Sequence, residues 1–156
     1  MTSDPLAQAV ANKAVIQQIE EALERGDPAA VDSFYHEDCI LNLPEGLLGD
    51  GTFKGLENVK NARARAVEML GISSVRVIEM IADGPTRVVG IVEISGADKA
   101  GEPWSMPVIE LLDLVDGKLA ETTMFWFDTH RLHEVAGDRV NVPPDGTVVS
   151  ATGGRE

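Results

Sequence analysis

The chain has 156 residues, which suits a single domain that buries about 70% of the surface exposed by the unfolded chain. Its 13 lysines and arginines stand against 26 aspartates and glutamates, so the net charge is −13 and the pI is near 4.5. This acidity opposes binding to phosphate backbones and anionic membranes, and we expect no nucleic-acid partner and no membrane partner. A local basic cluster on a predicted helix is interpreted as a solvated face and comprises Lys54, Lys60, Arg63 and Arg65.

Cysteine and glycine patterns argue against bound metals and nucleotides. The single cysteine, Cys39, cannot form an internal disulfide, and no cysteine–histidine spacing resembles a zinc site. Because the chain also lacks a glycine-rich phosphate loop, we expect no metal and no cofactor. The lone thiol suits a reducing compartment, and the N-terminal residues do not resemble a signal peptide. No apolar run approaches the roughly 20 residues that span a bilayer, so we expect a cytoplasmic protein.

Helices are predicted before strands along the chain. Helix caps, apolar spacing and glycine stops predict a helix from about Pro5 to Gly26, a short helix from Asp27 through Tyr35, a brief strand at 39–43, a glycine-rich loop at 45–55 and a third helix at 56–70. Two strands follow at 75–82 and 87–95. Asp116-Gly117 then predicts a tight hairpin between strands at 108–115 and 118–127, since this dipeptide tolerates the positive φ values of such turns.

This order predicts an α+β fold in which a cone-shaped, curved antiparallel sheet wraps on about three N-terminal helices. Residues 1–134 form the single domain, and 135–156, dense in glycine and proline, form a C-terminal tail that is extended or partly disordered. The cone encloses an apolar pocket. The convex sheet face carries Phe125 and Phe127, so we expect a second copy to cover it in a homodimer.

The hairpin places an acid in each of its two arms. Alternation puts Glu110 in an apolar stripe on the first arm, where desolvation would raise its pKa and let it donate a hydrogen bond to a developing oxyanion. The alternative is a structural acid with a buried partner. On the second arm Asp128 shares a face with Trp126, which predicts a proton-transferring group at the wider end of the pocket. The alternative for Asp128 is a turn or cap residue.

Further candidates surround these acids. His130 would orient Asp128 or relay its proton, because histidine titrates near neutral pH. Tyr35 at the pocket entrance would donate to a substrate carbonyl, or else pack its ring with a hydrated hydroxyl. The expected substrate-binding wall consists of Trp104, Met106, Met124, Trp126 and Asn42, although Trp104 and Met106 also suit a plain core role and the function of Asn42 stays open.

Several sequence segments resemble the nuclear transport factor 2-like superfamily over about residues 8–133. These are Arg25-Gly26-Asp27-Pro28, Phe34-Tyr35-His36-Glu37-Asp38, Phe53-Lys54-Gly55-Leu56-Glu57, Asp116-Gly117-Lys118-Leu119 and Phe125-Trp126-Phe127-Asp128. The superfamily includes ketosteroid isomerases, limonene epoxide hydrolases and SnoaL-like polyketide cyclases. The resemblance implies the cone fold and a small-molecule pocket.

The resemblance also separates these activities. The ketosteroid isomerase base and helix-one tyrosine are missing, with Asn42-Leu43-Pro44 and Ile19 in their places, while its strand acid matches Glu110. The epoxide hydrolase pattern needs an arginine and an aspartate two apart on an inner strand, where residues 90–95 offer only Glu93, so that reaction is disfavoured. The SnoaL-like cyclases resemble the chain more, because their acid near the end of the last strand matches Asp128.

These observations favour a small-molecule enzyme that carries out proton transfer on an apolar, carbonyl-bearing substrate, by isomerisation, aldol-type cyclisation or dehydration. The alternative is a non-catalytic ligand-binding or dimerisation module, since one fold serves both uses.

Overall fold

The computed structural model describes residues 4–137, and the elements run in the predicted helix-then-strand order. They are α1 (Pro5–Glu24), α2 (Pro28–Ser33), β1 (Tyr35–Asn42), β2 (Thr52–Lys54), α3 (Leu56–Leu70), β3 (Ile72–Ile81), β4 (Arg87–Ala97), β5 (Pro103–Val115), β6 (Lys118–Trp126) and α4 (Thr129–Ala136). The first residues of the predicted tail belong to α4, and 138–156 lie outside the described part of the chain. None of the described helices is both long and apolar enough to span a bilayer.

Local signals set the helix ends. The Asp4 side chain accepts a hydrogen bond from the Leu6 backbone N–H at 3.1 Å, and Pro5 occupies the first turn of α1. Helix α3 ends at Gly71, which has a φ of 62°. A side chain at Gly71 would collide with the backbone oxygen of Ala97 at the end of β4. The close approach of β4 is therefore a second reason why residue 71 must be glycine.

Six strands form one curved, open sheet in the order β2-β1-β6-β5-β4-β3. The four long strands β3 to β6 pair antiparallel in sequence, as predicted. Asp116 (φ 51°) and Gly117 (φ 73°) make the predicted tight turn between β5 and β6. Strand β1 pairs parallel to β6, which makes the sheet mixed. The predicted α+β class is confirmed.

The chain between α1 and α3 differs from the prediction in two ways. Helix α2 ends at Ser33, and β1 begins at Tyr35, earlier than the predicted strand at 39–43. The reason is tertiary, because Tyr35 pairs with Leu119 of β6 and the Leu119 N–H donates to the Phe34 carbonyl at 2.9 Å. Within the glycine-rich segment, β2 pairs with β1 and extends the sheet by one short strand.

The concave face of the sheet packs against α1 and α3 and forms the core. Strand β5 alternates as predicted, with Glu110 the half-buried exception among buried apolar residues of its inner face. Strand β6 departs from simple alternation because a bulge skips Ala120, so that Leu119 lies opposite Leu114 and is buried. Simple alternation would group Leu119 with Glu121 and Phe125, and the bulge breaks that grouping.

Candidate active site

A cavity of about 290 Å³ lies between the concave sheet face and helices α1 and α3. Its volume is at the small end of the range of about 300–1,000 Å³ that is typical of ligand pockets. Most of its wall is aliphatic. The polar or aromatic residues that line it are Glu20, Tyr35, Arg63, Glu110 and Trp126.

Glu110 projects from the middle of β5 into this cavity, as the alternation predicts. Its register partner on β4 is Gly90, and a Cβ at Gly90 would lie 3.5 Å from Glu110 Oε2. A Cβ at this position would make an ordinary van der Waals contact with the carboxyl group. Burial raises the pKa of Glu110, and the positive charge of Arg63 partly opposes this rise.

A second carboxyl group, that of Glu20 on α1, lines the same cavity. Burial raises its pKa to about 7, with further contributions from the negative charges of Glu110 and Glu24. Glu20 is not among the site residues predicted from the sequence. The available signal was its position in the helical stripe with Ile16 and Leu23, where an acid interrupts the apolar face of α1.

The side chains of Arg63 and Tyr35 both line the cavity and pack against each other. The Arg63 Cζ atom lies 4.8 Å from the centroid of the Tyr35 ring, a cation–π arrangement. Tyr35 is 5% exposed, and its O–H has no acceptor among the described residues, although the Arg63 guanidinium group lies near enough to donate weakly to the hydroxyl oxygen. Burial raises the pKa of this hydroxyl, which the charge of Arg63 opposes. The predicted solvated role is wrong for Arg63, because it lines the cavity on the same side of α3 as Ala66.

Of the predicted wall residues, Trp126 and Met124 line the cavity, whereas Trp104 and Met106 lie in the core beside it. The Trp104 Nε1 donates to the Leu70 carbonyl at 2.9 Å, and its ring centroid is 6.5 Å from that of Trp126. Trp104 therefore fixes α3 against β5 and supports Trp126 from behind. The Nε1 of Trp126, which is 6% exposed, has no hydrogen-bond partner within residues 4–137.

Asp128 lies outside the cavity, which corrects the predicted placement. Strand β6 ends at Trp126, so the alternation that would turn Asp128 inward stops before it. Its carboxylate accepts from the Arg131 backbone N–H at 2.9 Å and caps α4, which is the alternative role considered for it. The side chain of His130 is 89% exposed and lies 3.4 Å from the Glu134 carboxylate rather than beside a pocket.

Asn42 is likewise absent from the cavity wall. Its Nδ2 donates to Glu121 Oε1 at 2.8 Å and to Thr123 Oγ1 at 3.1 Å, and its Oδ1 accepts from Thr52 Oγ1 at 3.2 Å. These bonds join β1 to both of its neighbours. The observed contacts are structural, and they replace the expected contact with substrate.

The polar groups that converge here suit acid–base chemistry. The pKa of Glu20 is about 7, and burial favours the protonated form of Glu110. Two carboxyl groups with different environments can serve as a base and as a hydrogen-bond donor, respectively. No cluster of three or more histidine, cysteine or acidic side chains within residues 4–137 is arranged to hold a metal ion.

Comparison with known proteins gives one family match and many structural neighbours. The SnoaL-like domain matches residues 15–122. Bal32a, from a soil-derived mobile gene cassette, is 16% identical with a TM-score of 0.75, over 83% of this chain and 99% of Bal32a. TerC, co-crystallised with polyporic acid, is 23% identical with a TM-score of 0.68, over 81% of this chain and 98% of TerC.

A candidate SnoaL-like polyketide cyclase from Jannaschia sp. CCS1 is 15% identical with a TM-score of 0.69, over 88% of this chain and 98% of its own. Burkholderia proteins named NTF2-like are also among the structural neighbours. No curated protein matches the sequence. At these identities the neighbours establish the fold.

Proposed function

Because the chain belongs to the SnoaL-like domain family of the nuclear transport factor 2-like superfamily, and because Glu20 and Glu110 line one apolar cavity, we propose that it is a proton-transfer enzyme. Its substrate is an apolar, carbonyl-bearing small molecule. Isomerisation, aldol-type cyclisation and dehydration all begin with removal of a proton from the carbon beside the carbonyl group. The observation that carries the proposal is the pair of carboxyl groups in an aliphatic wall.

In this proposal Glu20 is the general base. A pKa of about 7 leaves part of its population ionised at neutral pH while keeping it basic enough to take a carbon-bound proton. The proton moves to Glu20, and the electron pair of the C–H bond forms the enolate. Glu20 then returns the proton to a different carbon in isomerisation, to the alkoxide oxygen formed when the enolate carbon attacks a second carbonyl group in cyclisation, or to a hydroxyl group that leaves as water in dehydration. Glu20 thus takes the role that the sequence suggested for Asp128.

Glu110 and Tyr35 stabilise the enolate oxygen. Glu110 donates from its protonated form, which its raised pKa favours, and the Tyr35 hydroxyl is a buried donor without a protein acceptor among the described residues. Donors in a dry site act strongly on developing negative charge. The aliphatic wall excludes the water that would otherwise compete for that oxygen.

Two fold neighbours agree with this class of substrate. One is named as a candidate polyketide cyclase and another was co-crystallised with polyporic acid. A substrate with a carbonyl group next to an apolar ring or chain would have its carbonyl oxygen near Glu110. The rest of the substrate would lie against the aliphatic side chains of the wall.

The test is deuterium exchange at the carbon beside the carbonyl of 2-tetralone, followed by NMR in D₂O. Wild-type protein should accelerate exchange, and Glu20→Gln and Glu110→Gln should each reduce the acceleration by about 10²–10³-fold, because each removes a group that acts on the transferring proton or the oxygen. Glu21→Gln, an exposed neighbour on α1, is the matched control and should exchange as wild type does.

Unchanged exchange in both cavity variants would exclude this mechanism. Tight binding of 2-tetralone without any accelerated exchange would instead favour the ligand-binding module. The ligand-binding alternative is supported by the unpartnered buried donors of Tyr35 and Trp126 in an apolar cavity.

A further inference from the structure

Arg63 is the only lysine or arginine among the described residues that line the cavity, and it forms no ion pair with any of them. The contrast with other arginines is clear. Arg76 pairs with Glu93 at 3.1 Å, and Arg87 pairs with Asp113 at 2.6 Å. A guanidinium group offers five N–H donors in a fork that matches a carboxylate. Arg63 instead rests over the Tyr35 ring.

The carboxyl groups of the cavity do not offset this charge well. Burial favours the protonated forms of both Glu20 and Glu110, and it also favours the neutral thiol of Cys39 and the neutral hydroxyl of Tyr35. Of these groups, Glu110, Tyr35 and Cys39 interact electrostatically with Arg63. The cavity therefore keeps a cation whose neighbours tend to be neutral.

Two further donors point to an oxygen-bearing ligand. The Tyr35 hydroxyl and the Trp126 Nε1 each belong to a side chain more than nine-tenths buried, each side chain lines the cavity, and neither donor hydrogen has an acceptor within the described residues. Buried polar atoms are normally hydrogen-bonded. A ligand with oxygen atoms at more than one position would satisfy both donors and the guanidinium group of Arg63.

We propose that the cavity takes an apolar organic acid, a carboxylic acid or comparably acidic enol, which binds as its anion with Arg63 as counter-ion and Trp126 as a flanking donor, while the single O–H of Tyr35 stays with the enolate oxygen. This deepens the proposed function by assigning the substrate class of the same cavity. In the reaction, the anionic group anchors the molecule by its end while the carbon beside a carbonyl group meets Glu20.

The test compares 2-naphthoate with 2-naphthamide, two probes of nearly equal shape that differ in charge, by calorimetric titration at neutral pH. Wild-type protein should bind the acid about tenfold more tightly or better, since a charge-assisted bidentate contact is stronger than a neutral one. Arg63→Met should reduce the two affinities to near parity. Arg76→Met makes the same change of charge outside the cavity and should keep the preference.

Arg63→Lys keeps the positive charge but lacks the forked guanidinium group, so it should retain a reduced preference for the acid. This variant replaces Arg63→Met in the test if circular dichroism shows that the methionine variant is unfolded. Equal binding of acid and amide by wild type, or an acid preference that survives in a folded Arg63→Met, overturns the proposal. The readout needs no turnover. If the protein prefers the acid but does not catalyse 2-tetralone exchange, only the proposed reaction is contradicted. If it catalyses exchange but shows no preference for the acid, only the proposed acid ligand is contradicted.

Discussion

At the scale of single residues, Glu20 links the cavity to the pH dependence of stability. Its pKa is about 7 in the folded protein against an ordinary value of 4.5, because burial disfavours its charge. Below pH 4.5 both folded and unfolded states hold the proton. Between the two values only the folded state holds it, and above both values the folded protein contains a buried charge that the unfolded chain does not.

We therefore expect the free energy of unfolding to fall as the pH rises from about 4.5 through 7, with Glu20 contributing about 1–3 kcal/mol after allowance for its partial exposure. Urea denaturation at pH 5 and pH 8 measures this change. Glu20→Gln should flatten the dependence, and Glu21→Gln on the outer side of α1 should not. An unchanged slope in Glu20→Gln would show that its pKa is ordinary.

At the scale of elements, the junction of β6 and α4 decides what Asp128 does. The strand ladder ends at Trp126, and the next residues must satisfy the free N–H groups at the start of α4. An aspartate is well suited to that position because its carboxylate accepts from the first turn and complements the helix dipole.

Asp128→Ala should lower the free energy of unfolding by about 1 kcal/mol through loss of the cap, and Asp128→Asn should cost much less because asparagine also caps helices. Both variants should catalyse 2-tetralone exchange as wild type does, since the carboxylate lies outside the cavity wall. Parallel urea titrations and exchange assays separate the two effects. A strong loss of exchange in Asp128→Asn with normal stability would return Asp128 to the reaction.

At the scale of the whole molecule, the outer sheet face is exposed and apolar. Phe125 is 54% exposed and Phe127 is 82% exposed, and Ile109, the register partner of Phe125, is exposed beside it on β5. Ile91 continues this row onto β4. Apolar patches of this kind usually mark interaction surfaces. We propose that a second copy of the chain covers it.

Sedimentation of the wild-type protein should show a dimer that is strengthened by added salt, because each copy carries a net charge of −13 and salt screens the repulsion. Phe125→Lys should shift the population to monomer. Val10→Lys, which places the same charge at an exposed apolar position of α1, is the control and should remain dimeric. A monomeric wild-type protein would contradict the proposal.

Much of the fold follows from local sequence rules. The Asp116-Gly117 turn, the glycine stop of α3 and the period-two burial of β5 depend on a few neighbouring residues, so they could be predicted together with the inward direction of Glu110. The start of β1 could not be predicted locally, because pairing of Tyr35 with β6 overrides the helical spacing before it.

The sequence by itself thus determined the fold class, the hairpin and one acid of the cavity, since backbone torsion preferences and side-chain alternation act over short distances. Only the tertiary structure decided which groups meet that acid. Glu20 comes from α1 and Arg63 from α3, and their approach depends on how the helices lie across the curved sheet. The exclusion of Asp128 was decided in the same way, because the end of the β6 ladder depends on pairing with β5 and not on the residues of β6 alone.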